Sequence, residues 1–181
     1  MKGLVTDDLL LDSSTTGSIF CADLTKRVDR FIEEIFEVAG SPSEVAVCAL
    51  GGYGRKELCP GSDIDVLLIH DAAFDVLPVA EKIWYPLWDA GLKLGHQVGT
   101  QEEILNLAES NLETATSLLS SRAVAGDNEI VSELAEKARE QWVERFQKYL
   151  KELGSTVEDR YTQYGEVAFL LEPELKQGRG G

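Results

Sequence analysis

The stretch Leu50-Gly-Gly-Tyr-Gly-Arg-Lys-Glu-Leu-Cys-Pro-Gly-Ser-Asp-Ile-Asp-Val-Leu-Leu-Ile69 decides the fold. It is entered from Val45-Ala-Val-Cys-Ala-Leu50, an apolar run that reads as a buried strand. Gly51 to Ser62 read as a Gly-rich connection with room for a short helical turn, and Ile64 to Ile69 as a second strand with Asp65 inside it. Asp63 and Asp65 are two apart, and on a strand such residues project from one face. Neighbouring carboxylates repel unless a cation sits between them. Mg2+ (or Mn2+) suits such a pair, because it takes oxygen ligands from one or two carboxylates and from substrate phosphates. Gly51 and Gly52, directly after a strand, let the backbone approach a ligand and offer amides to phosphate oxygens. Ser62 adds a hydroxyl, and Arg55 or Lys56 adds positive charge. Together these pieces suit nucleotidyl transfer, in which metal ions clamp phosphates during in-line attack.

Working outward, residues 1–19 are rich in Ser, Thr, Gly and Asp and read as a flexible arm. Leu24, Val28, Phe31, Ile32, Ile35 and Phe36 place a helix from Asp23 to the stop at Gly40. A second helical stripe covers 75–90, with Pro78 and Pro86 as interruptions that kink or split it. Leu92 to Val98 read as a third strand. Thr100 and Glu103 form a capping box, and further helices are expected at 111–124 and, capped by Asp127, at 128–153. Trp84, Trp88 and Trp142 fall on the packed stripes. The expected division is an arm at 1–19, a core at 20–109, and a helical extension with an irregular tail at 110–181. The fold class is α/β (α+β), a small mixed sheet with helices on one side.

Bulk properties narrow the function. Of 181 residues, 32 are acidic and 17 basic, a net charge of −15. Residues 1–100 hold 16 acids and 8 bases, and residues 101–181 hold 16 and 9, so no acidic tail accounts for the excess. Binding to a nucleic-acid backbone needs Lys and Arg to displace counterions, so nucleic acid is not the expected partner. The three cysteines, Cys21, Cys48 and Cys59, show no C-x-x-C spacing, which argues against a zinc site or disulfide framework and for a reducing cytoplasm. No apolar run approaches the length of a membrane span, and Met1 to Leu11 lack the character of a signal peptide.

The pattern of strand, Gly-Gly, spacer and D-x-D resembles the DNA polymerase β-like nucleotidyltransferase superfamily. More narrowly, G-G-Y-G-R-x-E-L followed by S-D-I-D looks like the N-terminal domain of the bacterial protein-PII uridylyltransferase family. Leu87-Trp-Asp-Ala-Gly-Leu-Lys-Leu-Gly-His96 is similar to that family's W-D-x-G-L-x-x-G-H segment. Ala115-Thr-Ser-Leu-Leu119 with Arg122 to Asp127 resembles its A-T-x-L-L-x-x-R-x-x-x-G-D stretch, and Tyr164 to Phe169 with Leu171-Glu-Pro173 resembles its C-terminal border. The resemblance spans about residues 45–181. It implies transfer of UMP (in some relatives AMP) from UTP or ATP to a hydroxyl of a PII-like signal protein in nitrogen regulation. Asp63 and Asp65 would hold the metal, one of them also serving as base, while Gly51, Gly52, Arg55 and Ser62 would hold the triphosphate. The family's further domains are expected to follow, so the chain reads as truncated relative to it. Departures are Gln97-Val-Gly99-Thr100 where S-V-R-T is usual, Lys56 for a glycine and Ser120 for an acid. The superfamily's third carboxylate is missing between Leu92 and Val98, where His96 is the one accessory candidate. These departures define the alternative reading: a nucleotide-binding or regulatory module with weakened catalysis.

Overall fold

A computed structural model describes residues 7–12, 14–172, 174, 178 and 179. Residues 1–6 and 13 of the expected arm, and much of the expected tail, lie outside the described residues. By internal contacts the chain forms two units, residues 1–139 and 140–181.

The first unit is built on a four-stranded mixed sheet, order β3-β2-β1-β4. The strands are β1 (Val45–Ala49), β2 (Ile64–His70), β3 (Leu94–Gly99) and β4 (Arg122–Gly126). β1 runs antiparallel to β2 and β4, and β2 runs parallel to β3. Val45, Val47, Ala49, Ile64, Val66 and Leu68 pack on α2 (Gly17–Ala39) and α4 (Leu77–Asp89) in one apolar core. From α2 this core takes Val28, Phe31, Ile32, Ile35 and Phe36, all nearly inaccessible. Each such side chain contributes roughly 1.5–3 kcal/mol by leaving water. Gly40, at φ +108°, ends α2 by donating its N–H to the Glu37 carbonyl at 3.0 Å.

Several elements differ from expectation for identifiable reasons. α1 (Asp7–Leu11) and the first three residues of α2 occupy part of the expected arm. Leu9 is buried in the core and Phe20 packs against it, so apolar contacts order this segment. α4 runs through Pro86 without a break. α5 (Gln101–Ser110) begins at the expected capping box: Glu103 N–H donates to Thr100 Oγ1 at 3.3 Å, and Thr100 N–H donates to Glu103 Oε2 at 2.8 Å. The helix expected at 111–124 is instead α6 (Leu112–Leu118) followed by β4. Arg122, Ala123 and Ala125 are good helix formers, and pairing with β1 overrides that local preference. The sheet therefore has a fourth strand, taken from the stretch assigned to the helical extension.

The start of β4 is fixed by a sheltered ionic cluster. Arg122 Nη1 and Nη2 donate to the two Asp29 carboxylate oxygens at 3.1 and 3.0 Å. Arg122 also donates to the Tyr53 and Gly54 carbonyls, both at 3.3 Å, and stands over the Tyr53 ring. Tyr53 Oη donates to Asp29 at 2.7 Å. Burial pushes the Tyr53 phenol far above its ordinary range, with Asp29 adding to the shift, so it stays a donor. Three elements meet there: α2, the one-turn helix α3 (Gly51–Gly54) and β4.

α7 (Asn128–Glu144) crosses from the first unit into the second, its first turn held by Glu129 N–H on Asp127 Oδ1 at 2.8 Å. The helix expected to run to 153 breaks at Arg145 and resumes as α8 (Phe146–Tyr164), passing through Gly154. Within the second unit Trp142 stacks on Tyr149, ring centroids 4.8 Å apart. Arg179 pairs with Glu166 and stands over the Tyr161 ring.

Two stability changes follow. Arg122→Ala leaves the Asp29 carboxylate sheltered and unpaired and should cost about 3 kcal/mol in urea unfolding. Gly154→Ala, where an added Cβ meets nothing within 4 Å, should instead gain about 1 kcal/mol.

Candidate active site

β2 is buried from Ile64 to Ile69 except at Asp65, which is half-buried. Asp65 projects on the face opposite the α2/α4 core. Two glycines make room for its carboxylate. A Cβ on Gly51 would lie 3.2 Å from Asp65 Oδ2, and a Cβ on Gly95 would overlap Oδ1. Gly51 begins α3 at φ +54°, a left-handed conformation that side chains disfavour. Gly95 is the parallel partner of Asp65 across the β2/β3 register. The turn is pinned from behind, since a Cβ on Gly54 would overlap the Ser120 carbonyl oxygen.

The pocket beside Asp65 has a volume of about 280 Å³, and Gln97, Asn111, Glu113, Thr114 and Ser117 help to line it. Gln97 lies on the Asp65 face of β3, two residues beyond Gly95. Its Oε1 is buried with no hydrogen-bond partner. Asn111 caps α6 by accepting from Thr114 N–H at 2.8 Å, which brings Glu113 in the first turn to the pocket.

The other expected site residues divide. Gly52 follows Gly51 in α3, and a Cβ there would lie 3.9 Å from Arg55 Nη2, so the Arg55 guanidinium sits over this glycine. Arg55 Nε is bonded to Glu57 at 2.7 Å, at the surface. Asp63 is exposed and precedes β2, because the turn at 59–62 delays the strand until Ile64. Ser62 Oγ closes that turn, donating to the Cys59 carbonyl at 2.8 Å and accepting from Cys59 N–H at 3.2 Å. Its residue lines a different cavity, with Leu24, Val28 and Leu58. His96 is adjacent to Gly95 in β3 and so has the opposite parity to Asp65. Its ring packs against Trp84 and Trp88, with both centroid separations 5.5 Å. His96 is also among the residues that line the pocket beside Asp65.

The donor chemistry near Asp65 is that of hard oxygen atoms. Among the described residues no group of three or more His, Cys, Asp or Glu side chains could by itself hold a metal ion. The arrangement fits a cation held by one or two carboxylates with the remaining ligands from phosphate and water, and not an all-protein cage. The orphaned Gln97 Oε1 adds an acceptor facing the same space. Gly95 and Gln97 had no distinct signal as site residues, whereas Glu113 was visible as an acid at a helix start. Gly95 becomes legible only through the β2/β3 register.

No protein-family profile matches the chain. It is 43% identical over 141 residues to a bifunctional uridylyltransferase/uridylyl-removing enzyme of Mycobacterium tuberculosis, covering 77% of this chain and 18% of that protein. It is 36% identical over 176 residues to the enzyme of the same name from Streptomyces coelicolor, covering 96% of this chain and 21% of that protein. The chain thus spans about a fifth of the length of the curated relatives it matches. Among solved structures, a toxin-antitoxin crystal structure with AMP-PNP superposes at TM-score 0.44 and 13% identity, over 69% of this chain and 97% of that one. No helix among the described residues is long and apolar enough to cross a membrane.

The seating of Asp65 predicts an energetic coupling. Gly95→Ala should cost about 1–3 kcal/mol in the wild-type background and clearly less in an Asp65→Ala background, measured by chemical unfolding of all four proteins. Additive costs would show that the carboxylate and the glycine are independent.

Proposed function

Because the chain belongs to the family of the bifunctional uridylyltransferase/uridylyl-removing enzymes, we propose that it carries out metal-dependent transfer of UMP, or AMP, from a nucleoside triphosphate to a hydroxyl of a PII-like signal protein. The carrying observation is the half-buried Asp65 carboxylate, given space by Gly51 and Gly95 beside a glycine turn.

In this reading Asp65, with Asp63 at the threshold of β2, holds Mg2+ or Mn2+. The ion supplies charge neutralisation of the phosphates. Gly51 and Gly52 bring backbone amides close to the triphosphate, because no side chain stands in the way. Arg55, folded over Gly52, offers positive charge at the edge of the turn. Ser62 acts through the turn it closes, which presents Asp63 and β2. Gln97 and Glu113 face the same space as Asp65 and contribute to positioning what binds there. The net charge of −15 suits a protein acceptor better than an RNA one. In this reading the reaction runs in the cytoplasm.

Calorimetric titration of UTP, ATP, CTP and GTP with Mg2+ tests the reading. One nucleotide should bind only with metal, and Asp65→Asn should weaken that binding by ~100-fold or more while leaving the circular dichroism unchanged. Transfer of labelled nucleotide to a PII-like protein should be lost in the same variant, and undiminished transfer would overturn the assignment. Binding without transfer would favour the nucleotide-binding module.

A further inference from the structure

Two cysteines that the proposed reaction does not use lie side by side. Cys21 is on α2 and Cys59 is in the turn before β2, 38 residues apart, yet their sulfurs are 3.8 Å apart. Cys59 is exposed and Cys21 is half-buried, while Cys48 is fully buried in β1. The bonded distance is about 2.0 Å, so the two sulfurs are close neighbours that must approach further to join. Sequence spacing gave no hint of this pair, because the sheet and α2 bring it together.

We propose that Cys21 and Cys59 are a redox modification site, forming a reversible disulfide by exchange with a small-molecule disulfide such as oxidised glutathione. The exposed Cys59 thiolate attacks one sulfur of the oxidant. A Cys59–glutathione bond forms, the oxidant's S–S bond breaks, and one glutathione thiolate leaves. The Cys21 thiolate then attacks Cys59 Sγ, giving the Cys21–Cys59 disulfide and releasing the second glutathione. Two protein thiols are oxidised, one disulfide is reduced, and the two protons pass from the cysteines to the departing thiols. Burial raises the Cys21 thiol above its ordinary value, with Cys59 adding to the shift, so the first attack falls to the exposed Cys59 and Cys21 follows in the intramolecular step, where proximity compensates for its smaller thiolate fraction. Cys48, pushed up to about 12 by burial, stays out of the reaction.

The disulfide staples α2 to the turn that Ser62 closes and that leads directly into Asp63. Oxidation therefore restrains the segment that delivers Asp63, while the site's substrate need not be known. Such a bond in a reducing compartment is transient and sensing in character.

The test is to treat the fully reduced chain with oxidised glutathione and to follow intact mass, peptide mapping and hydrogen exchange. The expected product has lost two hydrogens, contains a Cys21–Cys59 linked peptide, exchanges more slowly over residues 58–63 and reverts with dithiothreitol. Cys21→Ser should stop at a glutathione adduct on Cys59, and Cys59→Ser should react far more slowly. Accumulation of that adduct in the wild-type chain, a dimer joined through Cys59, no reaction, or unchanged exchange over 58–63 in the oxidised chain would each overturn the proposal.

Discussion

The contact between Arg122 and Asp29 is the constraint on which the glycine turn depends. One guanidinium takes both oxygens of a carboxylate on α2 and still reaches the carbonyls of Tyr53 and Gly54. Planar, five-donor geometry makes this possible, and a lysine at 122 could not reproduce it. Two of its acceptors are backbone atoms of α3, so the cluster sets where the one-turn helix lies against β4. The Gly54 backbone then comes so close to the Ser120 carbonyl that no side chain fits between them. The helix, the turn and the added strand are thereby locked behind the site instead of within it.

This arrangement explains a division of labour between the two faces of the sheet. One face is filled by α2 and α4 and takes Ile64, Val66 and Leu68 from β2. The other carries Asp65 and Gln97, with the start of α6 across from them. β2 belongs to both faces at once. Its alternate residues Ile64, Val66 and Leu68 anchor the apolar core, and that anchoring fixes the direction of Asp65. A slip of one residue would exchange the two sets, which the buried core forbids.

Much of this was legible in the sequence. The strands around Gly51-Gly52, the D-x-D pair and the capping box at Thr100 depend on local pattern, and local pattern carried them. β4 was hidden because Arg-Ala-Val-Ala reads as helix until β1 offers it hydrogen bonds. The side of the sheet on which His96 falls follows from its pairing with Val66 across the β2/β3 register, which local pattern does not supply. The second strand was read from Ile64, where β2 does begin, so Asp63 stands just before it and Asp65 within it. The Asp29–Arg122 pair and the Cys21–Cys59 pair span 93 and 38 residues. No periodicity announces such partners, because the tertiary fold alone brings them together.

The glycines around Asp65 are best understood as one unit with it. A glycine inside a strand, such as Gly95, sacrifices packing and adds unfolded-state entropy, roughly 0.5–1 kcal/mol against alanine. At Gly51 the left-handed backbone would tax any other residue. Core strands otherwise fill such positions with branched side chains, as β1 and β2 do elsewhere. A carboxylate half-buried on a central strand carries its own desolvation cost. Three adjacent positions thus give up stability around one carboxylate. A fold optimised for stability alone would replace all three. Local rules are broken in this way where a site must keep space for something other than the chain itself.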